Sequence, residues 1–214
     1  AVSVCLSGGW VTFGLFRRAG ESLGTQRHGW TFLAAVAAGA SVWCTHFIAM
    51  LAFDVRAPLT FDPFLTAVSL VVVMAGCGLG FVIALQHERA RLAEIGGALV
   101  VLSITAMHYT GMLAYHVDGL IEWNGAYIAA SVLMATIFGA LALHQAVRRP
   151  WAFSHHVALA LFVLAVAGLH FTGMASLSVT PLTTGAPLAD ASVSATMALA
   201  DASALGELGA VDIA

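Results

Sequence analysis

The sequence predicts an all-α, polytopic membrane bundle of six helices, built as three copies of one helix hairpin. The first observation is composition: 60% of the residues are hydrophobic, only 9% are charged, and the mean hydropathy is +0.94. A soluble domain carries roughly 25% charged residues. The second observation is an internal repeat of 62 residues that carries a His/Met motif. Together they exclude an ordinary soluble domain and point to a chain that uses the lipid bilayer as its solvent.

Six apolar stretches are candidates to cross the bilayer, which takes about 20 residues of helix. We predict spans at Val2–Phe16, Trp30–Phe53, Phe64–Gln86, Ile95–Tyr115, Gly125–Val147 and Ser154–Leu177. The first is short, and we interpret it as a helix entered partway rather than as a signal peptide, because its basic residues follow the apolar run. All three cysteines lie inside spans, which argues against a disulfide framework.

The arginines predict the orientation of the bundle. Seven of the eight fall between spans one and two, three and four, or five and six: Arg17, Arg18, Arg27, Arg89, Arg91, Arg148 and Arg149. The positive-inside rule therefore places these three loops in the cytoplasm and both termini outside. The chain has a net charge of −3 and no basic patch, so we expect the lipid bilayer as its surroundings and no nucleic acid as a partner.

One motif recurs at a fixed period. Residues 46–50 read HFIAM, residues 108–112 read HYTGM, and residues 170–174 read HFTGM. A constant spacing is the signature of internal duplication, and parallel repeats about an axis along the membrane normal are a known membrane architecture. Three hairpins predict a pseudo-threefold bundle in which all three motifs lie at one depth, in the outer leaflet.

The motif residues predict a metal site. His and Met four residues apart share one helical face, and polar groups inside a membrane are costly enough to indicate function. Thioether is a soft ligand that favours copper, especially Cu(I), and imidazole binds both oxidation states; zinc would recruit Cys, Asp or Glu. The predicted ligands are His46, Met50, His108, Met112, His170 and Met174. We expect a histidine layer and a methionine layer about 6 Å apart.

Other residues near the motifs have simpler interpretations. Asp54 and His116 each follow a motif methionine by four residues, and would line the outer mouth as an entry path, an outer ligand or an ordinary polar ring. Gly111 and Gly173 are interpreted as small residues that let helices approach closely. Haem is the main rival cofactor because His/Met axial ligation is common. Ligands four residues apart on one helix cannot flank both faces of one haem, but ligands from two helices can.

The motif Met107-His108-Tyr109-Thr110 resembles the MHYT domain, a bacterial integral membrane sensor module, over roughly residues 1 to 180. The resemblance implies copper held by the six motif residues near the periplasmic side of the cytoplasmic membrane. It also implies sensing of a diatomic gas such as oxygen, CO or NO. Thr45 and Leu169 replace the Met that precedes His in the family, and Ala49 replaces a Gly. We expect the preceding positions to matter little, because they point about 100° away from the His face.

The domain organisation follows from the same resemblance. Residues 1–180 are predicted to form the sensor domain, and residues 181–214 an Ala/Ser/Thr-rich extracytoplasmic tail that is flexible, with a weak helix from Ser192 to Leu208. The family usually adds a seventh span that leads to a cytoplasmic output domain, often one acting on cyclic di-GMP. No seventh span is evident, so we interpret the chain as a truncated sensor or as a module whose signalling output domain is separate.

Three functions are compatible with such a site. The favoured one is a binding and sensing module for a gas or for redox state. The alternative is a membrane copper oxidoreductase, for which only Asp54, Tyr115 and His116 could supply acid or base near the metal. A carrier of copper or protons is disfavoured, because the inner halves of the motif helices contain almost no polar residues.

Overall fold

The computed structural model describes residues 1–51, 59–86, 91–117, 119–148 and 153–181. Within these ranges the helices are α1 (Val2–Glu21), α2 (Gly24–Leu51), α3 (Pro63–Ala84), α4 (Leu92–Leu113), α5 (Gly125–Arg148) and α6 (Ser154–Met174). Four short strands lie between or after them: β1 (Leu59–Phe61), β2 (Tyr115–Val117), β3 (Gly119–Trp123) and β4 (Leu177–Pro181). All six helices belong to one compact unit, Ala1–Thr180.

The predicted all-α membrane bundle is confirmed. Helices α2 to α6 are each long and apolar enough to cross a bilayer, so the protein is a multi-pass membrane protein. Helix α1 has 20 residues but lower hydropathy, because Arg17, Arg18 and Glu21 lie in its last two turns. The hairpin partners α1–α2, α3–α4 and α5–α6 pack most extensively against each other, as the repeat predicts.

Helix α4 is the central helix of the bundle. It packs against α3 and α5 and also contacts α2 and α6. Of its most apolar stretch of 18 residues, 56% is buried inside the bundle. Small residues make these approaches close: a Cβ atom added to Gly96 would lie 2.4 Å from the carbonyl oxygen of Gly80 on α3. Such backbone contact is how membrane helices associate when lipid offers no hydrophobic driving force.

The end of the bundle that carries Met50, Met112 and Met174 is here called the motif end. Two linkers there are anchored in the same way, 62 residues apart. Asp62 caps α3, its carboxylate accepting a hydrogen bond from Leu65 N at 2.8 Å, and Asn124 caps α5 through Ala126 N at 3.0 Å.

The backbone N–H groups of these two caps reach the next motif helix. The N–H of Asp62 donates to the carbonyl of Ala114 at the end of α4, at 2.9 Å, and the N–H of Asn124 donates to Ser176 after α6, at 2.8 Å. The linker that follows α2 is thereby fixed to the end of α4, and the linker that follows α4 is fixed to the end of α6.

The strands at the motif end correct the predicted span ends. Spans drawn to Tyr115 and Leu177 are too long, because the helices stop at Leu113 and Met174 and those two residues lie in β2 and β4. Strand β1 pairs antiparallel with β2, and β3 pairs with β4. The Ala114 carbonyl already accepts a hydrogen bond from a linker N–H, so the helical ladder does not continue past it.

This correction changes the expected environment of His116. It does not continue the helical face of His108 and Met112, but lies in β2 opposite Thr60 of β1. Asp54 and the tail predicted beyond residue 181 lie outside the described residues.

The opposite end of the bundle holds the described arginines. The Arg27 guanidinium donates to the backbone carbonyl of Leu85 just after α3, which joins the ends of two hairpins. Between α4 and α5, Nδ1 of His144 lies 2.7 Å from Oε1 of Glu94. We call this the arginine end, and the positive-inside rule predicts that it faces the cytoplasm.

The orientation is testable by cysteine labelling in a background without Cys5, Cys44 and Cys77. Gln26→Cys is at the arginine end and Glu122→Cys at the motif end, and both positions are exposed. An impermeant maleimide applied to intact cells should label position 122 and reach position 26 only after lysis. Labelling of position 26 in intact cells, without labelling of 122, would reverse the predicted topology.

Candidate metal centre

Three histidines from three helices meet inside the bundle. His46 of α2, His108 of α4 and His170 of α6 have ring centroids 4.9, 5.5 and 5.4 Å apart, a nearly equilateral triangle. One ring nitrogen of each lies within 4.8 Å of the other two. This is the convergence that the pseudo-threefold repeat predicts, and we call these residues the histidine triad.

Two rings of the triad are buried, that of His170 is half-buried, and their polar atoms are poorly satisfied. His46 is 4% exposed and His108 2%. Their Nδ1 atoms lie 3.1 Å from each other, while Nε2 of His46, Nε2 of His108 and Nδ1 of His170 have no hydrogen-bond partner in the described part of the chain. Leaving a buried polar group without a partner costs about 1–3 kcal/mol. Packing alone therefore does not account for three imidazoles here, and a ligand would relieve the cost.

The three motif methionines form a second group. Met50, Met112 and Met174 are buried together at the motif end, with Phe61, Tyr109 and Leu177 around them. The structure thus brings all six predicted ligands into two groups, three imidazoles and three thioethers. Their role as metal ligands stays a prediction.

A small cavity borders the histidine triad. Its volume is about 20 Å³, and its lining consists of three sets of residues related by the repeat: Val42, Ile104 and Val166; Thr45, Met107 and Leu169; and the triad itself. Because the first two sets precede the histidines along each helix, the cavity extends from the triad toward the arginine end. A space of this size holds about one water-sized molecule.

The cavity corrects one expectation from the sequence. We expected the residue before each histidine to point away from the site, yet Thr45, Met107 and Leu169 all line the cavity. Helical side chains lean toward the helix N-terminus, so these residues cover the side of the triad that faces the arginine end. Their spacing of 62 residues was the signal that could have identified them.

The donor atoms fit a metal ion. Two nitrogens bound to one ion at about 2.0 Å can be no more than about 4 Å apart, and the Nδ1 pair of His46 and His108 meets this limit at 3.1 Å. A third nitrogen on the same ion would lie about 3.6 Å from each of the other two, so it must close by no more than about 1.2 Å from the 4.8 Å bound. Among the described residues, no cysteine or carboxylate belongs to this cluster.

Comparison with known proteins identifies the class. A family profile described as "Bacterial signalling protein N terminal repeat" (MHYT) matches residues 39–97 and 102–159, which contain the first and second motifs. An uncharacterized signaling protein of Caulobacter vibrioides is 33% identical over 181 residues, which are 85% of this chain and 22% of that protein. No solved structure shows significant similarity to the chain.

Two relatives from Pseudomonas aeruginosa have enzymatic names. The cyclic di-GMP phosphodiesterase NbdA is 34% identical over 191 residues, and the bifunctional diguanylate cyclase/cyclic di-GMP phosphodiesterase MucR is 33% identical over 160 residues. These alignments cover 86% and 72% of this chain. The chain spans about a quarter of the length of each, 24% and 23%.

The fold and these similarities define a membrane sensor domain of bacterial signalling proteins. The chain belongs to the MHYT family of bacterial signalling proteins.

Replacing one imidazole by an apolar side chain of similar size tests whether the triad is structural. In the metal-free protein, His108→Leu should change the thermal midpoint little, because it removes the unpaired Nε2 of His108 but also leaves Nδ1 of His46 without its partner. Unfolding in detergent micelles, followed by intrinsic fluorescence after chelation, measures this. A drop of several degrees would mean that the imidazole pair is a structural hydrogen bond.

Proposed function

We propose that this chain is a membrane copper sensor in which the histidine triad holds the metal, with the methionine cluster in support or as a second soft site. One observation supports it most strongly: three imidazoles, one from each repeat, converge inside the bundle with ring nitrogens that have no partner among the described residues. If each histidine served only to pack its own hairpin, the three copies would not need to meet. If each histidine is a ligand of one metal ion, the three copies must meet.

The donor set favours copper over other ions. All six donors are neutral, so a bound ion keeps its whole charge in an apolar interior, which favours a monovalent ion. Thioether ligands select Cu(I), and imidazole accepts both copper oxidation states. Zinc usually recruits cysteine or carboxylate ligands. A bound copper ion would supply a redox-active centre to which a small neutral ligand can coordinate.

Haem fits this site poorly. The three imidazole nitrogens lie within 4.8 Å of each other and the bordering cavity has a volume of about 20 Å³. A porphyrin needs far more space than this between its axial ligands. The described geometry is suited to an ion and not to a macrocycle.

The cavity supports a diatomic gas as the sensed ligand. It has room for one molecule of about the size of water, its lining is mostly apolar, and it directly borders the triad. A neutral diatomic molecule such as oxygen, CO or NO meets all three conditions. A larger organic substrate does not, and no acidic side chain is present among the lining residues, so the copper oxidoreductase remains the less favoured alternative.

The signal would pass to a cytoplasmic output that acts on cyclic di-GMP, by analogy with the names of the two Pseudomonas relatives. We infer an output domain in the same protein or in a partner. Helix α4 is suited to carry the change, because it holds His108 near the motif end and Glu94, paired with His144, at the arginine end. Ligand binding shifts such a bundle only if it binds two states with different affinity.

In this proposal the metal lies near the periplasmic face of the bacterial cytoplasmic membrane. The charge bias of the loops supports that location.

Copper content of two histidine variants tests the proposal. His108→Ala removes one of three imidazole donors and should lose most of the copper from protein purified out of copper-supplemented cells. His144→Ala, whose partner is Glu94 at the arginine end, should retain the wild-type content. Both variants are compared by elemental analysis, with thermal unfolding to confirm that each is folded. Equal loss of copper from the two folded variants would contradict the assignment.

A further inference from the structure

The glycine of one motif lies directly against the imidazole of the preceding motif. A Cβ atom added to Gly111 of α4 would be 2.6 Å from Nε2 of His46, and one added to Gly173 of α6 would be 2.3 Å from Nε2 of His108. Side-chain carbons do not approach other heavy atoms this closely. The edge of each of these two rings therefore lies against the backbone of the next motif helix, where the ring leaves no room for a side chain.

These contacts follow a cyclic order. His46 of α2 contacts α4, and His108 of α4 contacts α6. The linkers that contain Asp62 and Asn124 connect the same pairs of helices, α2 with α4 and α4 with α6. The cycle would close with His170 of α6 against the matching position of α2. That position holds Ala49. Two corners of the triad are thus formed against glycine, whereas the residue that matches these glycines for the third corner carries a methyl group.

The third corner is also the most open. His170 is only half-buried, and Phe171 beside it is 69% exposed, whereas the matching Phe47 and Tyr109 are half-buried. Helix α4 packs against both α2 and α6, but α2 and α6 make fewer contacts with each other. Nδ1 of His170 is buried without a partner.

We propose that Gly111 and Gly173 are positioning residues that hold the rings of His46 and His108, and that Ala49 makes His170 the exchangeable ligand of the triad. A ring already confined by contact loses little freedom on binding a ligand, so these two imidazoles are preorganised. The ring of His170 lacks that confinement. It is therefore the ring that moves away from the site when an ion or a small ligand enters or leaves. Only the second statement rests on the proposed function.

The first statement is tested without metal, by a double-mutant cycle on the chelated protein. Gly111→Ala should lower the thermal midpoint by several degrees when His46 is present, because the new methyl group displaces the ring. In the His46→Ala background the same substitution should have almost no effect, since the imidazole is gone. Gly14→Ala, where a Cβ would meet no atom within 4 Å, is the control for helix propensity.

The outcomes of this cycle are exclusive. If Gly111 serves only the close approach of helices, Gly111→Ala destabilises the protein equally in both backgrounds, and the positioning role is overturned. If Gly111→Ala alone does not fold, the role requires that adding His46→Ala restores a folded protein. Failure of that rescue also overturns it. The pair Gly173→Ala and His108→Ala gives a second, independent cycle.

The second statement is tested by transfer of Cu(I) from the loaded protein to a water-soluble chelator. Ala49→Gly should slow the transfer, by roughly tenfold if it gives His170 confinement worth about 1.4 kcal/mol. The direction of the change in transfer rate is informative. An Ala-to-Gly change within a helix by itself destabilises the helix and would speed the loss of metal. Ala106→Gly, at an exposed position of α4, shows that ordinary effect.

Transfer that is unchanged or faster in Ala49→Gly would overturn the assignment of His170 as the exchangeable ligand. This failure is separable from failure of the proposed function. A wild-type protein that binds no Cu(I) would remove the proposed function and with it the second statement, while the metal-free cycle would still decide the positioning role of Gly111.

Discussion

The cost of burying three imidazoles in an apolar bundle is the constraint on which the site depends. Each ring carries nitrogen atoms that need a partner, lipid offers none, and three of these atoms are left unpaired around the axis. The two closest nitrogens can share a single proton, which satisfies one contact and leaves the third ring out. A metal ion bound by the triad would satisfy all three rings at once. The hairpin repeat is the simplest way to bring identical donors to one axis at one depth.

The same constraint explains where small residues occur. Helices must approach closely for side chains as short as histidine to meet, and glycines such as Gly80 and Gly96 allow backbone contact between hairpin partners. Gly111 and Gly173 go further, because the space they leave is filled by the imidazoles themselves. Departure from glycine at Ala49 then has a specific consequence at one corner of the site, and it makes the three repeats unequal although all three motifs have the same His and Met.

Much of this arrangement was predictable from the sequence. The hydropathy identified the helices, and the period of 62 residues predicted that His46, His108 and His170 converge. The ends of α4 and α6 were not predictable, because they depend on backbone pairing between distant segments, such as Thr60 with His116. The position of Met107 in the cavity lining was not predictable for a different reason. A helical wheel treats one helix at a time, whereas the cavity lies on an axis shared by three helices, so adjacent residues on each helix can border it.

The central claim is that the triad holds copper, and metal analysis of the purified protein together with its optical spectrum tests it most directly. Protein extracted from membranes of copper-supplied cells and purified without chelators should contain stoichiometric copper and show no Soret band. Stoichiometric iron with an intense Soret band would assign the site to haem. Folded protein that contains neither metal, and takes up no Cu(I) on titration, would contradict the account altogether.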